Sequence, residues 1–415
     1  MQRYSAYKSS QIDWLGNIPS EWRVERIKMM DEIVMGQSPS GHNVFEEEKG
    51  IPFLQGNTEF GSIIPENKYW TIEITKEAKP NDLLLSVRAS IGELNFADQI
   101  YVIGRGLCAI HSIKSEIKFL YYCLLGLKDY YKSIATGTTF FAINIVDIKD
   151  TKLAYPTRTE QKAIAEYLDK TTEDIDKVIA VKQHQLEKLE QYKKAEIHKV
   201  VTKGLDKNVK LKESGIEWIG EIPEHWKVER IKDVVELRTE KTTNKSDEKD
   251  YLELEDIEQG TGKILGFRDT LEVSSDVTIF RKNDVLFGKL RPYLAKYWLA
   301  DRDGKCTGEI IAFNCQKIES TFFIYFIGSP KFIEICTAVA YGAKMPRVDW
   351  TRQIAYFYIA FPDKREQKEI ANYLEQFCAN VQNEKSIIER QIEKLQQYRK
   401  SLIHECVTGK RKVIE

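Results

Sequence analysis

The sequence predicts the α/β fold class, with two globular α/β domains joined by two long coiled-coil helices in a pseudo-two-fold internal repeat. The segment Ile12–Lys28 returns as Ile216–Lys232, 204 residues further along the chain, with 11 of its 17 residues identical. A second segment, Tyr155–Leu168, returns 206 residues later as Phe361–Leu374. Each copy ends in a long stretch with the apolar spacing of an amphipathic helix. The same framework is therefore built twice, around two stretches of chain that differ from each other.

Length and composition are typical of a folded protein of several domains. A chain of 415 residues, 42% of them hydrophobic, has room for about two to four domains. The formal net charge of −1 excludes a uniformly basic nucleic-acid binder but permits a local basic surface. The seven cysteines form no Cys-x-x-Cys pair, which argues against metal ribbons and fits the cytoplasm. Since no signal peptide and no apolar run of roughly 20 residues is present, we expect no membrane contact.

The repeat divides the chain into four blocks. We predict a first globular domain over residues 1–155 and a region with a long helix over 156–210. A second globular domain follows over 211–361, and a second helical region over 362–415. The offset between the copies drifts between 202 and 206 residues. The globular domains have therefore gained and lost residues while the framework kept its length.

Short apolar runs predict buried strands in both globular domains. In the first domain the runs cover 51–56, 82–88 and 106–111, and a helix follows over 116–134. In the second domain the runs are 284–291 and 309–314, and the helix returns near 320–340. The alternation of apolar and polar residues before Arg291 predicts that Lys289 and Arg291 share one face of a strand.

The long helices carry matching apolar stripes. Thr171–Lys203 contains neither Pro nor Gly, Gly204 follows where a C-terminal cap belongs, and Thr171 with Asp174 resembles an N-terminal capping pair. Narrow stripes on two helices predict a coiled coil. A helix of roughly 33 residues at ~1.5 Å per residue is about 50 Å long, the length of about 15 base pairs of duplex. The stripes consist of Ile175, Val178, Ile179, Leu186, Leu189, Ile197 and Val200, and of Val381, Ile388, Ile392, Leu395, Leu402, Ile403 and Cys406.

Several short motifs recur in the same order in both halves. A Trp-x-Gly-x-Ile-Pro-x-x-Trp segment begins each copy, and a turn with Pro and Glu-Gln-x-x-Ile precedes each long helix. Val201–Gly204 and Val407–Lys410 end the two helices in similar ways. In their order, and over nearly the whole chain, these motifs resemble the specificity subunit of a type I restriction-modification enzyme. Three further segments add to the resemblance: Gly36–Ser40, Pro52–Gly56 and Asn283–Arg291.

This resemblance implies a function and a set of partners. Each globular domain would be a target-recognition domain that reads one half of a bipartite site in double-stranded DNA. The two helices would pack antiparallel, set the unread spacer and dock methyltransferase subunits, two in number. S-adenosylmethionine for adenine methylation, and ATP and Mg²⁺ for the restriction (motor) subunits, would belong to those partners, so this subunit would hold no cofactor.

The residues themselves carry no recognisable catalytic motif. Gly260–Lys263 comes nearest to a phosphate-binding loop, but Ile257 stands where the first glycine should be. The six histidines are scattered, and no Asn/Asp-Pro-Pro-Tyr/Phe motif of an amino-methyltransferase is found. We therefore predict a subunit that is not an enzyme and has no metal site. Two alternatives stay open: the specificity part of a split or fused restriction or methyltransferase enzyme, and a coiled-coil scaffold that binds only proteins.

Candidate DNA-binding residues cluster in the second globular domain. Arg and Lys supply phosphate contacts, and with Asn and Gln they also read base edges. A group of basic and aromatic residues follows a predicted strand, and a second basic group follows the loop that begins at Tyr341. The alternative is an ordinary solvated surface with ion pairs inside the domain. The candidates are Lys289, Arg291, Tyr293, Lys296, Lys344, Arg347 and Arg352.

The first globular domain is less basic, and its candidates lie in strand ends and loops. Arg88 aligns near Arg291, and the uncharged Thr136–Phe141 loop aligns with the second basic loop. Gln55 and Asn57 have the alternative of merely bracing a turn. Two half-sites of different sequence require such a difference between the two domains. The candidates are Gln37, Ser38, Gln55, Asn57, Arg88, Ser90, Arg105, Thr138 and Thr139, with Ser40 nearby.

Repeated residues are expected to pack rather than to read DNA. Trp14 and Trp22 return as Trp218 and Trp226. A residue that reads a variable sequence should differ between the copies, whereas one that docks the chain on its own domain should not. Several lysines on the first long helix are expected on its solvated surface, with partner or phosphate contact as alternatives: Lys188, Lys193, Lys194 and Lys199.

Overall fold

The computed structural model describes residues 3–137, 141–244, 248, 250–271, 273 and 276–413. The chain divides into two compact units. The first unit comprises Met1–Lys182 with Arg390–Glu415, and the second unit comprises Gln183–Glu389. Each unit therefore combines one globular domain with a part of each long helix.

The first unit is built from short strands and helices. Its strands are β1 (Tyr7–Ser9), β2 (Asn17–Pro19), β3 (Arg23–Arg26), β4 (Glu32–Met35), β5 (Val44–Phe45), β6 (Ile51–Leu54), β7 (Tyr69–Thr71), β8 (Glu77–Ala78), β9 (Leu83–Ser86), β10 (Leu94–Phe96), β11 (Tyr101–Ile103), β12 (Leu107–His111) and β13 (Lys152–Tyr155). Its helices are α1 (Ile27–Met30), α2 (Ile117–Gly126), α3 (Lys128–Ile134), α4 (Ile145–Lys149) and the first part of α5 (Arg158–Lys203).

Two sheets form the body of the first unit. One has the order β10-β9-β12-β4 and the other the order β5-β7-β6-β11-β8. Leu83 and Leu85 of β9 belong to one hydrophobic core and Leu84 belongs to another. Because both faces of β9 are covered, its sequence is a continuous apolar run rather than an alternating one.

The second unit repeats this plan with changes. Its strands are β14 (Leu211–Glu213), β15 (Glu221–Pro223), β16 (Lys227–Arg230), β17 (Val235–Leu237), β18 (Lys241–Thr242), β19 (Tyr251–Leu252), β20 (Val277–Phe280), β21 (Val285–Gly288), β22 (Tyr297–Leu299), β23 (Gly304–Cys306), β24 (Ile310–Cys315) and β25 (Tyr358–Phe361). Its helices are α6 (Ile231–Val234), α7 (Ser320–Ile327), α8 (Pro330–Val339) and the first part of α9 (Lys364–Val407).

The sheets of the second unit correspond to those of the first. Their orders are β17-β24-β21-β22 and β18-β20-β23-β19. Strand β21 has the place of β9, with Val285 and Phe287 in one core and Leu286 in the other. Among the described strands, one parallel pair occurs in each unit, β6 with β11 and β19 with β23, and the other pairings are antiparallel.

Two local predictions are wrong. The helix expected over 116–134 is two helices, α2 and α3, and the one expected near 320–340 is likewise α7 and α8. Lys289 and Arg291 do not share a strand face, because β21 ends at Gly288. The backbone of Arg291 is left-handed, with φ at 51°, and its N–H bonds the Pro346 carbonyl at 2.7 Å. The chain has therefore already turned at Arg291.

The long helices begin earlier than the stripes predict. Helix α5 has 46 residues and α9 has 44, so α5 is about 69 Å long rather than about 50 Å. Their first turns are bonded by Thr157, whose Oγ1 accepts from the Glu160 N–H at 3.3 Å, and by Asp363. The predicted cap at Thr171 is wrong, since no Pro or Gly interrupts the chain between Arg158 and Thr171.

The two long helices run antiparallel within each unit. In the first unit, Tyr167 of α5 bonds Arg411 just beyond α9, and Asp176 pairs with Arg399 of α9. Rising numbers on one helix thus meet falling numbers on the other. The second unit shows the same order, because Tyr192 contacts Phe377 and Glu196 bonds Tyr373. These contacts confirm the expected antiparallel packing, and the long helices fit a coiled coil.

The repeated tryptophans pack, as predicted. Trp22 and Trp226 are each 1% exposed. The indole Nε1 of Trp22 donates to Glu160 at 3.3 Å, and that of Trp226 donates to Glu366 at 3.1 Å. The glutamate of the repeated Glu-Gln pair therefore holds the tryptophan of the repeated first segment.

The glycine that follows each long helix packs against a buried tryptophan. Gly204 and Gly409 both have φ near +70°. A Cβ on Gly204 would lie 3.3 Å from Trp226, and one on Gly409 would lie 3.2 Å from Trp22. The end of α5 thus closes the second unit, and the end of α9 closes the first.

Among the described helices, none is long and apolar enough to cross a membrane alone. Helices α7 and α8 have the necessary length and composition only as a pair bent by 59°. Apolar side chains of both helices are part of the core of the second unit.

Candidate nucleic-acid interface

Four loops of the first unit contact one another and form what we term the first loop cluster: residues 36–38, 55–57, 87–89 and 104–106. A Cβ on Gly36 would lie 2.1 Å from the Gly104 carbonyl oxygen, and one on Gly104 would lie 2.9 Å from the Gln55 carbonyl oxygen. Val87 donates its N–H to the Gly106 carbonyl at 2.9 Å. Glycine permits such close backbone approaches because it has no Cβ. Loops that are far apart in the sequence are therefore held together.

The first loop cluster brings together polar side chains that the sequence singled out. The Ser38 hydroxyl accepts from the Arg105 N–H at 3.3 Å. The N–H groups of Gln55 and Gly56 donate to the buried carboxylate of Glu59 at 3.1 and 3.0 Å. Glu59 thus braces this turn, and the Gln55 side chain is left exposed. The predicted residues in this cluster are Gln37, Ser38, Gln55, Asn57, Arg88 and Arg105.

Thr136 and Ala142 lie beside the first loop cluster. Arg88 is exposed and pairs through its backbone with Ala142. The backbones of Thr136 and Ala142 also bond each other, at 3.0 and 2.9 Å. Ser90 is exposed just beyond Arg88. Two predicted residues lie outside the described residues: Thr138 and Thr139.

The second unit repeats this arrangement in a second loop cluster, formed by residues 289–291, 307–309 and 341–347. Lys289 donates its N–H to the Glu309 carbonyl and accepts from the Val348 N–H, both at 3.0 Å. These bonds repeat those that Val87 makes in the first unit. The backbones of Tyr341 and Arg347 bond each other at 2.9 Å in both directions and close a hairpin. The two units therefore share one backbone framework here.

Of the predicted DNA-binding residues after β21, some have exposed side chains and one is hydrogen-bonded within its own unit. Arg291 is exposed, and Tyr293 is 48% exposed at the following turn. Lys296 is engaged, because its Nζ donates to the Leu254 carbonyl at 2.6 Å. Lys289 is half-buried beside Arg291. Arg291 and Tyr293 are therefore open to a ligand, whereas Lys296 holds the unit together.

Arg347 makes an ion pair inside its own unit. Its Nε and Nη2 lie 3.0 and 3.1 Å from the two carboxylate oxygens of Glu309. The hydrogen bond to Glu309 raises the pKa of Arg347 further above its usual value. Lys344, in the hairpin, and Arg352 are exposed. Arg347 fixes the base of the hairpin, and Lys344 extends from it.

Several predicted cations have no ion pair to any carboxylate among the residues that the structure describes. These exposed or half-exposed side chains add local positive charge to a protein whose net charge is only −1, although the charge of Arg352 also acts on the neighbouring Asp349. Local positive charge of this kind is what phosphate contacts require. They are Arg88 and Arg105 in the first unit, and Lys289, Arg291, Lys344 and Arg352 in the second.

The sequence did not reveal Glu309, which holds Arg347. Matching hydrogen bonds place Glu309 where the first unit has Gly106, and Arg347 where it has Ala142. A residue-by-residue alignment of the two copies would have shown an opposite-charge pair at two positions where the first copy has Gly and Ala. That joint change is the signal that sequence reasoning missed.

A sequence profile of the type I restriction modification DNA specificity domain matches residues 19–191 and, a second time, residues 223–394. The chain belongs to this family. The double match confirms the predicted repeat. Members of the family are DNA-recognition components of type I restriction-modification systems and are not themselves catalytic.

Similar proteins agree with this assignment. The putative type I restriction enzyme MjaX specificity subunit of Methanocaldococcus jannaschii is 36% identical over 203 residues, which are 48% of this chain and 46% of that relative. The chain thus matches about half the length of that relative. The MjaVIII specificity subunit of the same organism is 25% identical over 445 residues, which cover 100% of this chain and 98% of the relative.

A solved structure shares the fold. It comes from work on complex assembly and conformational transition of the type I R-M system. Its chain superposes with a TM-score of 0.74 over 94% of this chain and 98% of its own length. The sequence identity is 13%, so this likeness concerns the fold alone.

Proposed function

We propose that this chain is the DNA-sequence-recognition subunit of a type I restriction-modification complex, and that each loop cluster reads one half of a bipartite site in duplex DNA. One observation carries the proposal. The same backbone hydrogen bonds hold both clusters, while the side chains on them differ. A fixed framework keeps the reading surface in place, and changed side chains alter what is read.

The chemistry of the side chains assigns them different tasks. The amides of Gln37, Gln55 and Asn57 suit base edges, because an amide offers both a donor and an acceptor. The unpaired Arg88 and Arg291 suit phosphates or guanines. Two predicted residues, Lys296 and Arg347, make contacts within their unit, as the alternative of ordinary intradomain contacts expects. We assign these two a positioning task.

The test compares Arg88→Ala with Arg291→Ala. Binding is measured with the methyltransferase subunits present, on duplexes in which one half-site or the other is altered. Each change should cost ~1–3 kcal/mol of discrimination, confined to the half-site of its own unit. Arg365→Gln is the control, since this exposed residue at the start of α9 pairs with Glu369 on the same helix. If Arg291→Ala altered the half-site that Arg88→Ala alters, the assignment of one half-site to each unit would be wrong.

The long helices carry a repeated exposed surface. Exposed side chains drift apart between copies unless both copies meet the same partner. Tyr192 also contacts Phe377 of α9, so packing between the helices accounts for part of its repetition. Tyr192 is 54% exposed and Tyr398 is 48% exposed. We infer that each copy docks one methyltransferase subunit, so that two are bound. Five exposed residues are identical in the two copies: Gln185, Glu187, Lys188, Gln191 and Tyr192, which return as Gln391, Glu393, Lys394, Gln397 and Tyr398.

Native mass spectrometry tests this stoichiometry. Tyr192→Ala or Tyr398→Ala alone should leave one methyltransferase subunit bound, and the double variant should leave none. Tyr130→Ala is the control, because Tyr130 is exposed but lies outside the repeated surface. Two bound subunits in the double variant would contradict the docking surface.

The helices are proposed to set the spacer between the half-sites. Removing seven residues from α5 and the matching seven from α9 should shorten the preferred spacer, and an unchanged spacer would refute this. We also place S-adenosylmethionine, ATP and Mg²⁺ on the methyltransferase and restriction subunits, and the complex in the cytoplasm. Equilibrium dialysis of the isolated chain should then show no binding of S-adenosylmethionine.

The proposed coiled-coil scaffold without DNA binding is the competing function. Gel shifts with and without methyltransferase subunits separate the two. Phosphate contacts make DNA affinity fall steeply with salt. Absence of salt-sensitive duplex binding in the presence of the partner would favour the scaffold.

A further inference from the structure

The second unit contains an open groove beside its long helices, which we term the helix-side groove. Its volume is about 880 Å³. Helices α5, α8 and α9 form its walls together with residues 259–261 and 293–297. Tyr293, which follows the second loop cluster, is one of its lining residues. The groove is therefore continuous with the surface proposed to read DNA.

The helix-side groove has apolar walls and a cationic margin. Ile197, Tyr297 and Ile333 are among the side chains of its walls. Lys193, Lys194 and Lys385 also line it, and none of the three has an ion pair with a carboxylate among the described residues.

Two carboxylates line the helix-side groove as well. Glu334 is already occupied, because its oxygens lie 3.0 and 2.9 Å from the Nζ of Lys331. Glu190 is the other. Three lysines against this one remaining carboxylate leave the groove with excess positive charge.

In the first unit, the residues that correspond to Lys193 and Lys194 form ion pairs. Lys400 corresponds to Lys194, and its Nζ lies 2.5 Å from Asp129. Arg399 corresponds to Lys193, and its Nε lies 3.1 Å from Asp176. The hydrogen bond from Lys400 holds the pKa of Asp129 below its usual value. Similar cations are thus neutralised in one unit and left uncompensated in the other.

The acidic partners of those cations are absent or occupied in the second unit. Asp176 corresponds to Gln382, which has no charge. Asp129 corresponds to Glu334, which pairs with Lys331 on its own helix. The second unit therefore lacks, at the matching positions, both ion pairs that the first unit makes with its long helices.

We propose that the helix-side groove binds the sugar–phosphate backbone of the DNA that flanks the half-site read by the second unit. Deoxyribose carbons would contact the apolar walls, and phosphates would contact Lys193, Lys194 and Lys385. The proposal rests on the proposed function. It adds that the two half-sites are held unequally, because the first unit has no free cations at the matching positions.

Charge and continuity favour DNA over a protein segment. The free lysines complement an anionic chain, and Tyr293 joins the groove to the surface that carries Arg291. Lys188 and Tyr192 of the proposed methyltransferase surface lie about 140° around α5 from Lys193 and Ile197, because successive helical residues are about 100° apart. Lys194 lies closer to that surface, since Gln191 precedes it by three residues. Lys193 can therefore be altered separately from Lys188 and Tyr192.

The experiment measures how duplex affinity depends on salt for the complete complex with methyltransferase subunits. Lys193→Gln with Lys194→Gln should lower the slope of log affinity against log salt by about 0.9 for each phosphate that the variant no longer neutralises. If the variant neutralises one phosphate fewer, a fourfold rise in salt should weaken its binding about 3.5-fold less than that of the wild type. Gln382→Asp, which copies Asp176, should lower the slope without removing any lysine.

Lys400→Gln is the matched control in the first unit, and its slope should equal that of the wild type. Hydroxyl-radical footprints should show extra backbone protection beside one half-site only, and the double variant should lose it. Unchanged slope and footprint in the double variant would overturn the proposal. Loss of methyltransferase stoichiometry with intact DNA affinity would also overturn it, in favour of a protein occupant.

Failure of the proposed function would look different. In that case the wild-type complex itself would show no salt-sensitive binding to duplex DNA, and the groove proposal would fall with it. If the wild-type complex binds duplex DNA and the double variant keeps the same half-site preference, the proposed function stands. The salt dependence of affinity then decides whether the groove binds the DNA backbone.

Discussion

The two loop clusters have the same backbone framework and different chemistry. Val87 and Lys289 make equivalent hydrogen bonds to the residues that precede β12 and β24. At the base of the hairpin over residues 341–347, however, the second unit has the ion pair of Glu309 with Arg347, where the first unit has Gly106 and Ala142. The difference shows how the side chains of two related DNA-reading surfaces can come to differ. A complementary pair can replace two small residues while the main-chain bonds that position the loops persist.

Substitutions of the glycines after the two long helices are expected to have the largest effect, and they test whether the two units are equivalent. Gly409→Ala should destabilise the protein more than Gly204→Ala. Both glycines are left-handed, which costs another residue ~1–2 kcal/mol. A Cβ at 409 would also lie 2.3 Å from the ring of Pro19, whereas one at 204 would meet the Glu366 carboxylate only at 3.1 Å. Overpacking adds about 1–3 kcal/mol at 409.

Urea unfolding of the two glycine variants measures this difference. The slope of the unfolding free energy against urea concentration depends on the surface that unfolding exposes. The midpoint and this slope are therefore compared together. Equal losses of stability would show that the ring of Pro19 moves aside, and the two helix ends would then be equivalent after all.

The ion pair at the hairpin predicts an effect on reading. Glu309→Gln should relax discrimination at the half-site of the second unit by ~1–3 kcal/mol, because Arg347 would no longer be held in a bidentate pair. Competition binding on altered duplexes measures the change. Reading of the other half-site should stay as in the wild type, and a change there would contradict the division of labour.

The buried tryptophans predict equality between the units. Trp22→Phe and Trp226→Phe each remove one indole hydrogen bond to a glutamate and should each cost about 1–3 kcal/mol, since the glutamate is charged. Thermal unfolding of the two variants provides the measurement. If one variant lost far more stability than the other, the two tryptophans would not contribute equally to the stability of their units.

The smallest expected effect concerns pH. Burial lowers the pKa of His198 and of His404 below 6.5, and Lys331 and Lys410 respectively add to the shift. Because the folded state disfavours the charged form, the stability from these histidines is fully present above pH 6.5. It is lost as the pH falls through the lower pKa of the folded state.

The double variant His198→Gln with His404→Gln tests this dependence. Its midpoint of thermal unfolding should change less than that of the wild type as the pH falls from about 7 to about 5. The wild type and the variant are compared at each pH in one buffer series. Parallel curves would mean that other groups cause the acid sensitivity.

The sequence predicted the elements whose signals are long and repeated. The helices α5 and α9 follow from stretches without Pro or Gly and from apolar spacing, and β9 and β21 follow from continuous apolar runs. The start of α5 was placed wrongly at Thr171. A polar residue three positions before an acidic one occurs inside helices as well as at their first turns, so the capping pattern is not specific.

The loop clusters could be predicted only in part. Gln55 and Arg105 were recognised as candidates from their places after short strands, and the structure brings their loops together. The pairing of Arg347 with Glu309 depends on a contact across 38 residues and on two backbone turns. Local propensity contains no information on such a contact, so the task of Arg347 could not be separated from that of Arg291.

The glycines at the helix ends have a consequence for ancestry. The first unit is completed by the last residues of the chain, and the second unit is completed by the end of α5. A half-length ancestor with one globular domain and one helix would have lacked the helix end that covers its buried tryptophan. Two copies of such a chain could each have lent the other that missing piece. Self-association would then be older than the gene fusion, and the modern single chain would be a dimer whose subunits became free to evolve apart.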